Sequence, residues 1–348
     1  MTAMATPAQP ARDARLRPVP WHGMAWVSWR QHRATLAGLV AVLGLAGVYL
    51  YVTGLDLRHE VTAYGEMFTA NGSGKMELTP TAALFQMLPA LIGAFVGAPV
   101  LARELETGTF RYTWTQGFGR ERWAAAKLAQ IAVAVTVAAG AFGFLFSWCY
   151  APIIGVPQGL SPLMSITFDL RGVAFAAWAL VAFAIGALAG ILIRRVVPAM
   201  AATLAAWSGL AFVTGAYLRR HYEAPLLTGN LNLPSAAWII SQRWILHGKT
   251  VSLSTVNQAL QKIGDVETAP GQFGPLPAPG QSFAPAPPRG SAAANPAQYL
   301  LHHGFAQLTS YQPASRFWPF QWIEGGWLLA LSVLLIAATI WLVRRHAA

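Results

Sequence analysis

Charge is what this chain has least of. Asp, Glu, Lys and Arg make up 11% of its 348 residues against 55% hydrophobic ones, where soluble globular chains carry about 25% charge. That shortage excludes an ordinary soluble domain. Cysteine is nearly absent as well: Cys149 is the single one, so no internal disulfide can form, and apolar neighbours give it a packing role. Several chemistries lack their patterns. There is no HExxH, CxxC or GxSxG, and His302-His303 have no metal-ligand spacing, which argues against zinc and nucleophile-elbow hydrolysis. No carboxylate lies inside a long uncharged run, so a proton path built on internal acids is disfavoured. Asn71-Gly-Ser-Gly-Lys75 resembles a phosphate loop only in part. Thr69 stands where a Walker A motif needs its first glycine, and Met76 follows the lysine, so a Gly-rich turn is the reading.

What the chain does have is long uncharged runs. Ala34–Leu55, Leu78–Ala102, Leu128–Phe168, Gly172–Ile193, Val196–Leu218 and Gly325–Val343 contain no Asp, Glu, Lys or Arg. About 20 apolar residues at 1.5 Å rise cross a hydrocarbon layer of about 30 Å, so five of these runs fit one crossing each. The run from Leu128 is too long for one simple span, and Pro152, Pro157 and Pro162 break its second half. A helix over 128–150 is predicted there, followed by an outer loop or a shallow re-entrant piece. Six such runs leave too little polar sequence to cover a soluble core. The predicted fold class is an all-α integral membrane protein with six transmembrane helices. The first run lacks a short apolar core followed by an A-x-A-like exit, so it is expected to stay as the first span.

The net charge of +11 is a matter of topology rather than of nucleic acid, because the positive residues cluster. With a cytoplasmic N-terminus, the inner segments hold Arg12, Arg15, Arg17, Arg30 and Arg33; Arg103, Arg111, Arg120, Arg122 and Lys127; Arg194 and Arg195; and Arg344 and Arg345. The short outer loops carry only Arg58, Lys75 and Arg171. The seven others are diluted over 219–324, a long segment that escapes the positive-inside bias. A multi-pass cell-membrane protein with both termini cytoplasmic is expected.

Four regions follow. Residues 1–33 form a cytoplasmic N-terminal segment, disordered at first. Its Trp21–Arg33 stretch is read either as an interfacial helix lying flat before the first span or as an aromatic and basic flank on it. Residues 34–218 hold spans one to five, with a tight inner hairpin at Arg194-Arg195. Residues 219–322 form an extracytoplasmic insertion between helices five and six, partly disordered: Leu233–His247 is its best helix candidate, and the Pro, Gly, Ala and Ser of Thr268–Pro296 point to a flexible loop. Residues 323–348 are span six and a cytoplasmic C-terminus. Gly93-Ala-Phe-Val-Gly97 and Gly186-Ala-Leu-Ala-Gly190 permit close helix approach, without specifying a partner.

The inner loop over 103–127 carries both signs of charge together with Phe110, Tyr112, Trp114 and Phe118. Exposed aromatics beside arginines are a protein-binding composition; a cytoplasmic flank with interfacial aromatics is the plainer alternative. Here the chain resembles the ABC-2 type transporter permeases, particularly actinobacterial ones. The resemblance is carried by the basic stretch before span one, by Pro99-Val-Leu-Ala-Arg103-Glu104-Leu-Glu106-Thr-Gly108-Thr109, by Trp114-Thr-Gln-Gly-Phe-Gly-Arg120, and by Arg122-Trp-Ala-Ala-Ala-Lys127. It covers most of 21–218 and span six; the outer insertion departs from it.

The resemblance implies six spans, a dimer of membrane subunits (a second copy or a paralogue), and cytoplasmic ABC ATPase subunits bound through the inner loop. It makes this chain the permease of an ATP-driven exporter and not itself an enzyme. ATP and Mg are expected on the ATPase, with no cofactor or metal held here. Arg103, Glu104, Glu106, Gly108 and Thr109 match the family's acidic Gly-Thr signature, tied to coupling. Phe110, Tyr112 and Trp114 are the affinity anchors, while Glu104 and Glu106 engage either basic residues of the ATPase or Arg103 and Arg111 in cis. Other expected partners are membrane lipid and a hydrophobic or amphipathic substrate. The alternative is a non-transport membrane scaffold or sensor whose outer domain binds a ligand.

Overall fold

The computed structural model describes residues 21–64, 80–108, 120–154, 161–229, 233, 236–259, 300 and 302–345. Outside them lie the N-terminal residues 1–20, the Asn71–Lys75 turn, the loop residues 109–119 and the flexible loop expected over Thr268–Pro296. The described chain divides into two units: a helical one made of Met1–Tyr222 with Ser315–Ala348, and a smaller one, Glu223–Ala314.

In the helical unit each long uncharged run becomes a helix, because a chain in hydrocarbon must satisfy every backbone N–H and C=O within its own segment. The helices are α1 (Trp21–Tyr64), α2 (Pro80–Thr107), α3 (Arg120–Tyr150), the single turn α4 (Ser165–Phe168), α5 (Gly172–Ile193), α6 (Val196–Val213) and α7 (Phe317–Arg345). α6 continues through a π turn at Thr214–Leu218 and a 3₁₀ turn at Arg219–His221. Six of them are long and apolar enough to cross a membrane. The predicted six-span membrane fold is the observed one. Val40, Leu45, Phe144, Val197, Phe212 and Leu334 are largely exposed on the helices, an apolar exterior suited to lipid.

The boundaries differ where charge was used to draw them. Trp21–Arg33 is not a separate flat helix: it is helical without a break into the first span. α3 starts at Arg120 rather than Leu128, and α7 starts at Phe317 and so takes Glu324 inside the helix. The hairpin at Arg194-Arg195 is as tight as expected. Arg194 closes α5 in the left-handed conformation at φ 60°, and the extended Arg195 opens α6.

α5 is the hub of this unit, buried along most of its length and packed by α2, α3, α6 and α7. The two glycine pairs meet each other. A Cβ at Gly93 would lie 2.6 Å from Ala182 O, one at Gly97 would lie 2.6 Å from Phe183 O, and one at Gly190 would lie 2.5 Å from Ala98 O, while one at Gly186 would overlap Gly93 O. Only glycine lets α2 and α5 cross this closely. The contact occurs where α2 widens into a π turn over Gly93–Gly97, with Ala98 N donating to Gly93 O at 2.9 Å just ahead of Pro99. A proline has no N–H to give, so a locally irregular helix at this point is expected.

The smaller unit is a four-stranded antiparallel sheet in the order β1-β4-β2-β3: β1 (Leu226–Thr228), β2 (Trp238–Leu246), β3 (Lys249–Val251) and β4 (Phe305–Gln312). The helix expected over Leu233–His247 is therefore strand β2. Its sequence, Trp-Ile-Ile-Ser-Gln-Arg-Trp-Ile-Leu, is rich in the β-branched and aromatic residues that favour strands. It ends in a two-residue turn whose central residues, His247 and Gly248, both have positive φ (48° and 80°). That is a type I′ hairpin, the turn matched to strand twist, and it pairs Leu246 with Lys249. Between Ile239 and Ser241 the register against β4 shifts, a bulge. Val256, Leu300 and Phe305 form the small core of the unit, with Trp244, Leu246 and Val251 around it.

Candidate functional site

Charge is concentrated at the two ends of the helical unit, about 33 Å apart along the 22 residues of α5 at 1.5 Å per residue. At the first end Arg219, which closes α6, is fully buried. Its guanidinium holds Glu324 of α7 in a bidentate pair, Nε donating to Oε2 at 3.0 Å and Nη2 to Oε1 at 2.7 Å. Nη1 donates to Ser165 Oγ at 3.0 Å, and Nη2 also reaches Asp169 Oδ1. The face of the guanidinium lies 4.3 Å from the Phe168 ring centre, which adds cation–π attraction.

Each carboxylate has further donors. Glu324 accepts the Trp178 indole N–H at 2.9 Å and the Tyr222 hydroxyl at 3.1 Å, and Tyr222 is in turn held by the Trp327 indole at 3.0 Å. Asp169 accepts from Gln86 of α2 at 3.3 Å. One turn before Glu324, Gln321 accepts the Ala174 N–H at 2.8 Å and donates to Phe168 O at 3.0 Å. Gln321, Glu324 and Trp327 recur every three residues and so share one helix face. The network joins α2, α4, α5, α6 and α7.

One guanidinium thus stands between two carboxylates. With all three groups ionised the cluster carries a net negative charge in a dry setting, where an uncompensated ion is costly. Burial pushes the Asp169 carboxyl up to about 7; the Arg219 guanidinium pulls it down against that, and the Glu324 carboxylate adds to the rise. Burial likewise raises the Tyr222 phenol, with Glu324 adding to it, so the phenol stays protonated and donates. The Arg171 guanidinium lies 4.8 Å from the Phe317 ring centre, and its Nε and Nη1 have no hydrogen-bond partner among the described residues.

The reading that no internal acid exists needs correction here. Glu324 and Arg219 lie just outside the uncharged runs but inside the helices, and Asp169 sits in the buried turn between α4 and α5. A signal was available: the three charged residues fall at the ends of successive runs that an alternating topology brings to one side, where intramembrane charge implies a partner.

At the opposite end stand the residues of the 103–127 element. Lys127, buried on α3, donates through Nζ to Glu104 Oε1 at 2.6 Å and to Val100 O at 3.0 Å. It also lies 4.8 Å from the Trp123 ring centre. Glu106 Oε2 accepts the Val196 N–H at 3.0 Å, so a carboxylate of α2 caps the start of α6, favourable both as a hydrogen bond and against the helix dipole. Among the described residues Glu104 meets Lys127 and Glu106 meets a backbone amide, while Arg103 of the two cis partners expected is exposed and Arg111 lies outside the described residues. Lys127 wins because its stem is packed at the α2–α3 contact, whereas Arg103 points out into the open. Gly108 ends α2 in the left-handed conformation at φ 70°, the usual glycine stop. Thr109, Phe110, Arg111, Tyr112 and Trp114 lie outside the described residues.

No curated protein and no solved structure matches the chain. A family model does, that of the ABC-2 membrane transporter related proteins, over residues 34–219. The matched stretch runs from the first span through the 103–127 element to Arg219 itself, more than half of the chain, and this multi-pass membrane protein belongs to the ABC-2 membrane transporter related family.

Proposed function

We propose that the chain is the permease subunit of an ATP-driven exporter, with ATP hydrolysis on a separate cytoplasmic ATPase that docks on the 103–127 element. Both chain ends and this element then face the cytoplasm, the Glu223–Ala314 unit lies outside, and a second copy or a paralogue completes the membrane part. The observation that carries the reading is how the base of the element is anchored. Two carboxylates two residues apart reach different helices, Glu104 to Lys127 of α3 and Glu106 to the first amide of α6. A push on the loop is therefore delivered to α2, α3 and α6 together. Phe110, Tyr112 and Trp114 supply the apolar anchors that a docking ATPase requires.

The test is co-purification with a candidate ABC ATPase subunit expressed together with this chain. Trp114→Ala is expected to reduce the retained ATPase about tenfold, the size of a typical aromatic hot spot. Equal retention with the loop intact, substituted or replaced by a Gly-Ser linker of the same length overturns the docking role. The alternative, a scaffold or sensor with a ligand-binding outer unit, draws support from the sheet and core of Glu223–Ala314. It requires full function in cells that lack the ATPase.

A further inference from the structure

Beside the Arg219 cluster lies a cavity of about 240 Å³, lined by Gln86, Ser165 and Asp169 and by the aromatic side chains of Phe175, Trp178 and Trp207. The one charged residue of this lining is Asp169, beside the neutral Gln86, Ser165 and Ser208. Of the two acids on Arg219, Glu324 is fully buried while Asp169 keeps 25% of its side chain exposed, and it is Asp169 that lines the cavity. The cluster has one positive group for two negative ones, and Tyr222 contributes a neutral phenol. Arg171, two residues from Asp169, is stacked on Phe317. Among the described residues no second cation pairs with either carboxylate, so Arg219 alone offsets both. Trp207 is 6% exposed, and its indole N–H has no hydrogen-bond partner among the described residues, a further polar group left unused at this wall.

We propose that this cavity binds a lipophilic organic cation, an ammonium group with apolar substituents, its charge against Asp169 and its apolar part against Phe175, Trp178 and Trp207. A hard metal ion is a poor fit, since calcium and magnesium need about six oxygens, whereas the walls here are mostly apolar. Aromatic faces attract a weakly hydrated ammonium, and the Asp169 carboxylate supplies the opposite charge in a setting that screens it little. A proton competes for the same place, because it too neutralises Asp169. The groups that face this carboxyl are Arg219 of α6, Glu324 of α7, Gln86 of α2 and Ser165 of α4. Binding at this site requires no ATPase and stands independently of the transport reading.

The experiment is calorimetric titration of the full chain in phosphatidylcholine nanodiscs with benzyltrimethylammonium, empty nanodiscs being subtracted. The neutral carbon isostere, neopentylbenzene, is the control for shape. At about pH 8 the cation is expected to bind saturably, one per chain, and the isostere about tenfold or more weakly. Asp169→Asn is expected to lose about tenfold. Ala211→Phe, which fills the cavity from α6 and replaces no residue of the charged cluster, is expected to abolish binding even if Asp169→Asn fails to fold. Lowering the pH to about 5 weakens the wild type, since a quaternary ammonium keeps its charge while the carboxylate gains a proton. Equal affinity for cation and isostere, unchanged binding by Ala211→Phe, unchanged affinity between the two pH values, or no saturable signal above empty nanodiscs overturns the proposal.

Discussion

The two charged ends of the helical unit differ in what surrounds the charge. At the Arg219 end a fully buried guanidinium is surrounded by acceptors from α4, α7 and the turn before α5, and its partner Glu324 has no exposed surface. At the Lys127 end the ammonium is equally buried, but Glu104 keeps 16% of its side chain exposed and Glu106 lies on the surface. One end fixes five helices to each other around the fully buried Arg219–Glu324 pair, with Asp169 alone of the three reaching the cavity. The other joins α2, α3 and α6 through contacts that water can replace. A bundle built this way is stiffer at one end and more yielding at the other, which suits the docking role proposed for the 103–127 element.

The largest expected effect comes from breaking the stiff end. Arg219→Met leaves Asp169 and Glu324 facing each other with no cation, and removing one member of a buried ion pair costs about 3–5 kcal/mol. Unfolding of the purified protein in sodium dodecyl sulfate titrations reads this directly. The triple variant Arg219→Met/Asp169→Asn/Glu324→Gln, with no charge to strand, is expected to recover roughly half of the loss. A triple variant no better than the single one would mean that packing of the guanidinium on Phe168, rather than charge balance, holds this end.

Lys127→Met asks the same of the other end. Its loss is expected to be smaller, about 1.5–3 kcal/mol, the worth of hydrogen bonds to a charged group, because Glu104 can turn to water once its partner is gone. A cost as large as that of Arg219→Met would erase the contrast between the ends.

How much of this was legible in the sequence depends on which physical rule decided each part. The spans were legible because twenty uncharged residues have few other fates, and the Arg194-Arg195 hairpin because two such runs almost touch. The glycine pairs were visible, but their meeting was not: spacing says that a helix face is small, not which face it finds. Glu324 and Arg219 were missed because counting uncharged residues ends a span at its first charge, although a charge with a buried partner can lie well inside the helix. Strand β2 was misread as helix because its mixed polar and apolar pattern fits either period over nine residues. The deciding signal, His247-Gly248 as a type I′ turn, depends on a positive φ at His247, which is uncommon outside glycine.

A pH-dependent difference tests the Arg219 end in a second way. The Asp169 carboxyl is raised to about 7 from an unfolded value of about 3.9, so between these limits the folded chain binds the proton that the unfolded chain has released. The contribution of this group to stability is therefore full below about pH 4, declines as the pH rises to about 7 and is level above. Asp169→Asn is expected to remove that decline from a plot of unfolding midpoint against pH. A wild-type plot that instead rises from pH 4 to 7 with Asp169 as its source would place the carboxyl below its ordinary value and make Arg219, not burial, the dominant influence.

The smallest effect is expected at Glu106, and it separates geometry from charge at the yielding end. Glu106→Gln keeps an oxygen that can accept the Val196 N–H, so the cap survives and only the negative charge at the start of α6 is lost, worth about 0.3–1 kcal/mol. Glu106→Ala removes the acceptor as well and leaves an orphan amide at the helix start, for about 0.5–2 kcal/mol in all. The difference between the two variants in dodecyl sulfate unfolding measures the hydrogen bond, and the salt dependence of the first measures the charge. If both variants match the wild type within error, Glu106 is not an anchor of α6, and of the two anchors found among the described residues only the Glu104–Lys127 pair remains.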